Sequence, residues 1–189
     1  MKLMPLYAPE TFELVSGWLR QRENCQWLDF GAGRQAVTPT LLKIMSQRET
    51  NFMRVYTAHR DDVPIGIVAL NNVDRIFKTG TLWGVAGEKS FSSRGYAGIA
   101  ASRLLTLAFR DLGLRSVNTW VVDCNPSQRS VERIGFRLIG RQRQCHFIDG
   151  HPCDRLLFDL LASEHREIDA AGWRRLDRSN LESAGVTAG

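Results

Sequence analysis

The sequence predicts a mixed α/β (α+β) domain with a central sheet of about six to seven strands and about four helices. Three observations carry this. Hydrophobic residues make up 43% of the 189 residues and charged residues 24%, which supplies one real core without disulfide staples. The apolar period switches between helical and strand-like spacing along the chain. The resulting elements fall in the order β-α-α-β-β-β-α-β-α-β-β.

Leu3 to Tyr7 reads as a short edge strand. Leu14, Val15, Trp18 and Leu19 recur at helical spacing, predicting a helix over about 8–22. Asn24 to Gly33 mixes two glycines with aromatic residues in no period and is expected to be a loop. Thr38-Pro39 opens a second helix, with proline in its first turn, that ends near Arg48. Phe52–His59 and Val63–Asn71 are strands around the Arg60-Asp61-Asp62 turn, and Phe77–Gly87 is a third. The strongest amphipathic helix covers Ala97 to Leu112 and stops at Gly113. Ser116–Val122 follows as a strand, then a short helix over 126–134 halted by Gly135. Phe136–Ile148 and Cys153–Leu160 close the domain around an Asp149-Gly150 turn. One domain is expected over 1–162. The polar remainder, 163–189, reads as a loosely packed or disordered tail, partly helical.

Composition narrows the function. The formal charge is +5 and arginine far outnumbers lysine. That balance suits an anionic small molecule, and the spread of basic residues argues against nucleic acid as a partner. No run reaches the roughly 18 apolar residues of a membrane span, so no membrane partner is expected. Met1 to Tyr7 has no apolar stretch of a secretory signal, and the expected location is cytoplasmic. Cys25, Cys124, Cys145 and Cys153 form no CxxC pair, and Cys145-His146 with His151-x-Cys153 matches no common zinc spacing, so no metal is expected.

The most informative segment is 88–100, which joins a strand to the best helix. Gly95, Ala97 and Gly98 are small, and Ser92 and Ser93 are polar. Such a turn leaves backbone N–H groups open at a helix start, where they and the helix dipole favour a phosphate. Arg94 adds positive charge. A plain strand-to-helix turn is the alternative. No Gly-Lys-Ser/Thr follows, so the loop is not of the Walker type, and its glycines do not fit a dinucleotide fingerprint.

Ser92-x-x-Gly95-x-Ala97 resembles the Gln/Arg-x-x-Gly-x-Gly/Ala acyl-CoA signature of the GCN5-related N-acetyltransferase superfamily. Ser92 departs from the usual Gln or Arg. The block Ser127-Gln128-Arg129-Ser130-Val131-Glu132-Arg133-Ile134-Gly135-Phe136 resembles S-x-R-V-x-E-K-x-G-F. It is found in the branch with Rim-type, spermidine and amino-sugar acetyltransferases. The resemblance covers about residues 1–160. It implies a mostly antiparallel sheet splayed in the middle, and transfer of an acetyl group from acetyl-CoA directly to an amine in a ternary complex.

The resemblance also implies roles. Val85, Ala86 and Gly87 would pair with pantetheine and polarise the thioester. Ser92, Ser93, Arg94, Gly95, Tyr96, Ala97 and Gly98 would hold the pyrophosphate, with Asn125 and Arg129 as further coenzyme contacts. The tyrosine that many relatives use as acid is Val131 here, so Ser127 is the candidate proton donor, with an N-cap role as the alternative. Cys124 stands where the branch often has Asn. Asp123 is the candidate base. Trp27, Asp29, Phe30 and Trp83 are candidate acceptor contacts. The acceptor could be a protein N-terminus, an amino sugar or another small amine. A non-catalytic acyl-CoA-binding module is the competing reading. Either a monomer or a homodimer is compatible.

Overall fold

Apolar residues at every position of a strand signal burial on both faces. Residues 65–70 (IGIVAL) are such a run and form the middle of the sheet. In the computed structural model, which describes residues 1–29, 37–58 and 62–176, the strands are β1 (Leu3–Pro5), β2 (Phe52–Thr57), β3 (Pro64–Asp74), β4 (Thr79–Ala86), β5 (Ser116–Val122), β6 (Arg137–Ile148) and β7 (His151–Leu161). They form one sheet in the order β1-β2-β3-β4-β5-β7-β6, antiparallel except at the β4–β5 pair. This matches the expected sheet.

Helices cover both faces. On one side lie α1 (Pro9–Arg20) and α3 (Pro39–Ser46), where Val15, Trp18 and Leu42 pack on Val55, Ile67 and Ala69. The other side carries α4 (Tyr96–Arg110) and α5 (Gln128–Arg133), with Leu104, Leu105 and Ala108 over Val68, Leu70, Val117 and Phe158. Thr38 caps α3, its hydroxyl accepting the Leu41 N–H at 3.1 Å. The Asp149-Gly150 turn has φ of 54° and 79°, the paired left-handed conformation of a tight hairpin.

Three expectations need correction. The first helix does not continue to 22. Gln21 is extended (φ −62°, ψ 129°), and a separate α2 (Arg22–Cys25) follows where a loop was expected. The buried Asn24 causes the break, because its amide donates to the Trp18 carbonyl at 2.9 Å and closes the end of α1. Phe77, expected to open the third strand, does not belong to β4; it shares a turn with Ile76. Their N–H groups both donate to Asp74 Oδ1 at 2.8 Å, holding an exposed turn.

The third correction concerns the tail. Residues 165–176 do not hang loose; they run back along α4. His165 meets Thr106 Oγ1 at 2.8 Å through Nε2 and lies 5.3 Å from the Phe109 ring. The Ile168 N–H donates to Ser102 Oγ at 2.9 Å. A helix, α6, begins at 170 and continues through 176, the last described residue. Trp173 on it is only 4% exposed and belongs to the main core. Sparse apolar residues hid this, since one indole does the anchoring.

Burial lowers the His165 pKa, opposed by Glu167 and aided by Arg166. A depressed folded-state value means that the unfolded chain binds the proton first. Stability is therefore complete above about pH 6.5 and falls as pH drops through the folded value. His165→Gln is expected to flatten the acid limb of a melting-temperature profile between about pH 7 and 5. An unchanged limb would assign it to other groups.

Candidate active site

β4 and β5 pair only over Thr79–Thr81 and Ser116–Asn118. Beyond that register the Thr119 hydroxyl donates to the Leu82 carbonyl at 2.9 Å, and no further ladder pairs the two strands. Trp83 to Ala86 thus pair with β3 on one edge only, leaving backbone groups that an extended ligand can meet. The expected pantetheine residues lie here. Val85 is buried and its carbonyl accepts from the Tyr56 hydroxyl at 3.4 Å. Burial pushes that phenol well above its ordinary pKa, so it stays protonated and a donor. Ala86 ends β4. Gly87 is forced by packing, because a Cβ there would stand 2.1 Å from the Trp18 indole. Trp83 is half-buried on β4.

The phosphate loop follows at once. Lys89–Arg94 is a 3₁₀ turn containing Ser92, Ser93 and Arg94. Ser92 Oγ donates to the Lys89 carbonyl at 2.8 Å, so the serine closes the turn where relatives carry a long side chain. Arg94 lies 5.4 Å over the Phe91 ring, and Phe91 contacts Tyr96 edge-on. Gly95 then adopts φ +76° and caps α4 with no side-chain hydrogen bond. The intrahelical ladder begins with Ile99 N–H to the Gly95 carbonyl at 3.0 Å, which leaves the N–H groups of Gly95, Ala97 and Gly98 outside it. The first turn of this 15-residue helix has no side-chain cap, a geometry that suits an anion.

At the far side of the splay, β5 runs into 123–127. The Asn125 side chain accepts the Ser127 N–H at 2.8 Å and shapes the turn into α5. Ser127 is exposed and makes no capping bond, so its hydroxyl is not spent on the helix. Arg129 is exposed on α5. Val131 packs on the core, as its apolar side chain requires. Asp123 lies 3.6 Å from Arg141, which also holds Asp154 at 2.9 Å. Backbone donation from Gln144, then Arg141, keeps the Asp154 carboxyl below its usual range. Asp123, Cys124 and Cys153 bring their ligand-type atoms within 4.8 Å of one another, a cluster that sequence spacing did not suggest. Burial, with Cys124 and Asp123 nearby, raises the Cys153 thiol.

The acceptor-side residues are less free than expected. Asp29 is engaged by Arg155 Nη2 at 3.0 Å. Arg155 lies 3.9 Å above the Trp120 ring and also reaches His146 Nδ1 at 3.0 Å. His146 Nε2 meets the Gln26 carbonyl at 2.6 Å. With Nδ1 accepting from Arg155, the ring carries its proton on Nε2. This network pins residues 26–29, and with them the half-buried Trp27, over the β5–β7 end. His146, Arg155 and Trp120 were missed as a group. The only sequence signal was their polar or aromatic character inside otherwise apolar strands. Phe30 lies outside the described residues. Glu88, a further carboxylate at the mouth, accepts the Trp18 indole N–H at 3.0 Å.

The profile of the Acetyltransferase (GNAT) family matches residues 18–136, a span that includes both the splay and the loop. The chain belongs to this acetyltransferase family. GNAT enzymes are N-acetyltransferases that use acetyl-CoA as donor. The chain is similar to "Putative ribosomal N-acetyltransferase YdaF" of Bacillus subtilis (strain 168), with 31% identity over 100 residues. That match covers 52% of this chain and 54% of the relative, so it spans about half the length of each. Among solved structures, the fold is similar to spermidine N-acetyltransferase from Vibrio cholerae in complex with CoA and spermine. The TM-score is 0.76 at 18% identity, covering 86% of this chain and 96% of that one. It is also similar to a GCN5-related N-acetyltransferase from Brucella melitensis, with TM-score 0.67 at 24% identity over 86% and 76% of the two chains. The described residues of this GNAT chain contain no helix long and apolar enough to cross a membrane.

Proposed function

We propose that this GNAT chain transfers the acetyl group of acetyl-CoA directly to a free α-amine, that of a peptide or protein N-terminus, in a ternary complex. One observation carries the choice of acceptor. The carboxylates described around the cleft are already engaged: Asp29 by Arg155, Asp123 and Asp154 by Arg141, and Glu88 by the Trp18 indole. A polycation would find little unpaired negative charge there. Among the described residues around the cleft, no carboxylate base is left without a partner either. An α-amine, with a pKa of about 7.7 to 8.0, is at least about half neutral at pH 8 without a base, whereas a lysine-type amine near 10.4 is almost wholly charged. The curated relative's ribosomal name and the net charge of +5 agree with a protein acceptor.

Acetyl-CoA, when bound, supplies the reactive thioester. The chain's own residues do the rest. The loop donors 95–98 hold the pyrophosphate. The open edge of β4 lines up the pantetheine arm and offers a backbone N–H to the carbonyl oxygen as negative charge develops on it. The exposed Ser127 hydroxyl passes a proton to the departing thiolate and regains one from the nitrogen that becomes the amide. Residues 26–29, pinned by Arg155, wall the acceptor side.

Thiol release from acetyl-CoA measured over an amine panel tests this. A peptide with a free N-terminus is expected to turn over, with kcat/KM rising through a midpoint of about pH 7.7 to 8.0 to a plateau above about pH 9, and the same peptide N-acetylated is expected to be inert. A preference for spermidine would overturn the acceptor assignment. Thermal stabilisation by acetyl-CoA with no thiol release on any amine would favour a non-catalytic binding module.

A further inference from the structure

Trp173 stands where the phosphate loop needs a wall. A Cβ built on Gly95 would lie 2.0 Å from the indole Nε1, and one on Gly98 would lie 2.1 Å from the opposite ring edge. The indole therefore spans the flank of the first turn of α4. Its six-membered edge faces Gly98, and its N–H edge faces the uncapped N-cap. The side chain is 4% exposed, and no acceptor among the described residues takes its N–H. The Arg133 guanidinium lies 5.5 Å over the same ring, which adds positive potential beside the donor. Along its length the segment is fixed to α4 by the Ile168–Ser102 and His165–Thr106 hydrogen bonds and by an Arg103–Glu167 ion pair.

We propose that the C-terminal segment 165–176 completes the coenzyme site, with the Trp173 indole N–H donating to an oxygen of the nucleotide diphosphate that the 95–98 loop holds. This rests on the loop being the acyl-CoA site. The cradle is built from two distant stretches of the chain: glycines at 95 and 98 leave room, and an indole from 75 residues beyond Gly98 fills the flank and adds one donor. The glycines are thus required by the chain's own tryptophan as well as by a ligand. Buried against the core, Trp173 cannot swing to meet a ligand placed elsewhere, so its donor is positioned before binding.

The test uses the full chain and three ligands: CoA, dephospho-CoA and S-acetylpantetheine, which lacks the diphosphate. Trp173→Phe keeps an aromatic ring in the core and deletes the N–H. It is expected to weaken CoA and dephospho-CoA by about tenfold, the worth of a hydrogen bond to a charged group. S-Acetylpantetheine affinity should be unchanged, and the ligand-free melting temperature should fall less than in Trp173→Ala. Trp173→Ala is expected to lower that melting temperature and to weaken CoA further. Unchanged CoA affinity in Trp173→Phe would reduce the residue to a core plug. Tighter CoA binding in Trp173→Ala would mean that the indole occupies the ligand's own place. Both results overturn the proposal. If the wild-type chain binds S-acetylpantetheine but shows no gain from the diphosphate, the loop assignment itself fails, before any variant is read.

Discussion

Gly95→Glu is expected to abolish the rise in melting temperature that acetyl-CoA gives the wild-type chain, and acetyl transfer with it. Three costs fall on one position. Gly95 has φ +76°, where an L side chain is strained. A Cβ there would sit 2.0 Å from the Trp173 indole, so either the loop or the segment 165–176 must shift. A carboxylate at the N-cap would also place negative charge where the diphosphate must bind, and would satisfy the donors itself. For a ligand at about 100 times its dissociation constant, the wild-type gain is roughly 2.7 kcal/mol, which a thermal shift resolves easily. Gly95→Ala carries the first two costs without the charge. It is expected to lower stability by about 1 to 3 kcal/mol and to keep a reduced response. Comparing the two separates electrostatic exclusion from loop distortion. A full acetyl-CoA response in Gly95→Glu would remove the loop from the coenzyme site.

That loop was legible because its signal is local. A strand, a small-residue turn and an amphipathic helix lie within one short stretch, and each has its own composition. The seven strands were legible for the same reason, since strand alternation and turn residues are neighbours in sequence. What local pattern could not supply is pairing across the fold. Asn24 was read as a loop residue because its partner, the Trp18 carbonyl, is a backbone group with no sequence signature. Trp173 sat in a stretch with no apolar period, and only the chain's return along α4 brings it to Gly95 and Gly98. The partners of the carboxylate candidates were hidden in a shared way. Asp29 and Asp123 have the right chemistry, but Arg155 and Arg141 come to them from the β6–β7 hairpin, which sequence order places far away. A charge count cannot show which carboxylates are already spent. The splay itself was expected from family resemblance and not from strand composition. Its physical mark is the end of β4–β5 pairing after Thr81 and Asn118.

The Arg155 network carries the second large effect, and it separates acceptor binding from coenzyme binding. Arg155 is 15% exposed at its side chain, whereas Asp29 is 42% exposed. The guanidinium is thus the enclosed partner, flat on Trp120 and shared between Asp29 and His146. Arg155→Met keeps most of the aliphatic bulk but removes every donor. His146 Nδ1 then loses its donor, and residues 26–29 lose their tie to β7. The expected loss of stability is about 2 to 3 kcal/mol, the scale of a charged hydrogen-bond network broken from its buried side. Asp29→Asn removes only the exposed partner's charge and is expected to cost less than about 1 kcal/mol. Kinetics give the sharper readout. The loop and the open edge of β4 are untouched, so KM for acetyl-CoA should hold in Arg155→Met. KM for the peptide amine should rise about tenfold or more, because the wall formed by Trp27 and Asp29 is no longer fixed. If acetyl-CoA KM rises and the peptide KM does not, residues 26–29 belong to the donor side of the cleft. If neither moves while stability falls, the network is structural and the acceptor is recognised elsewhere.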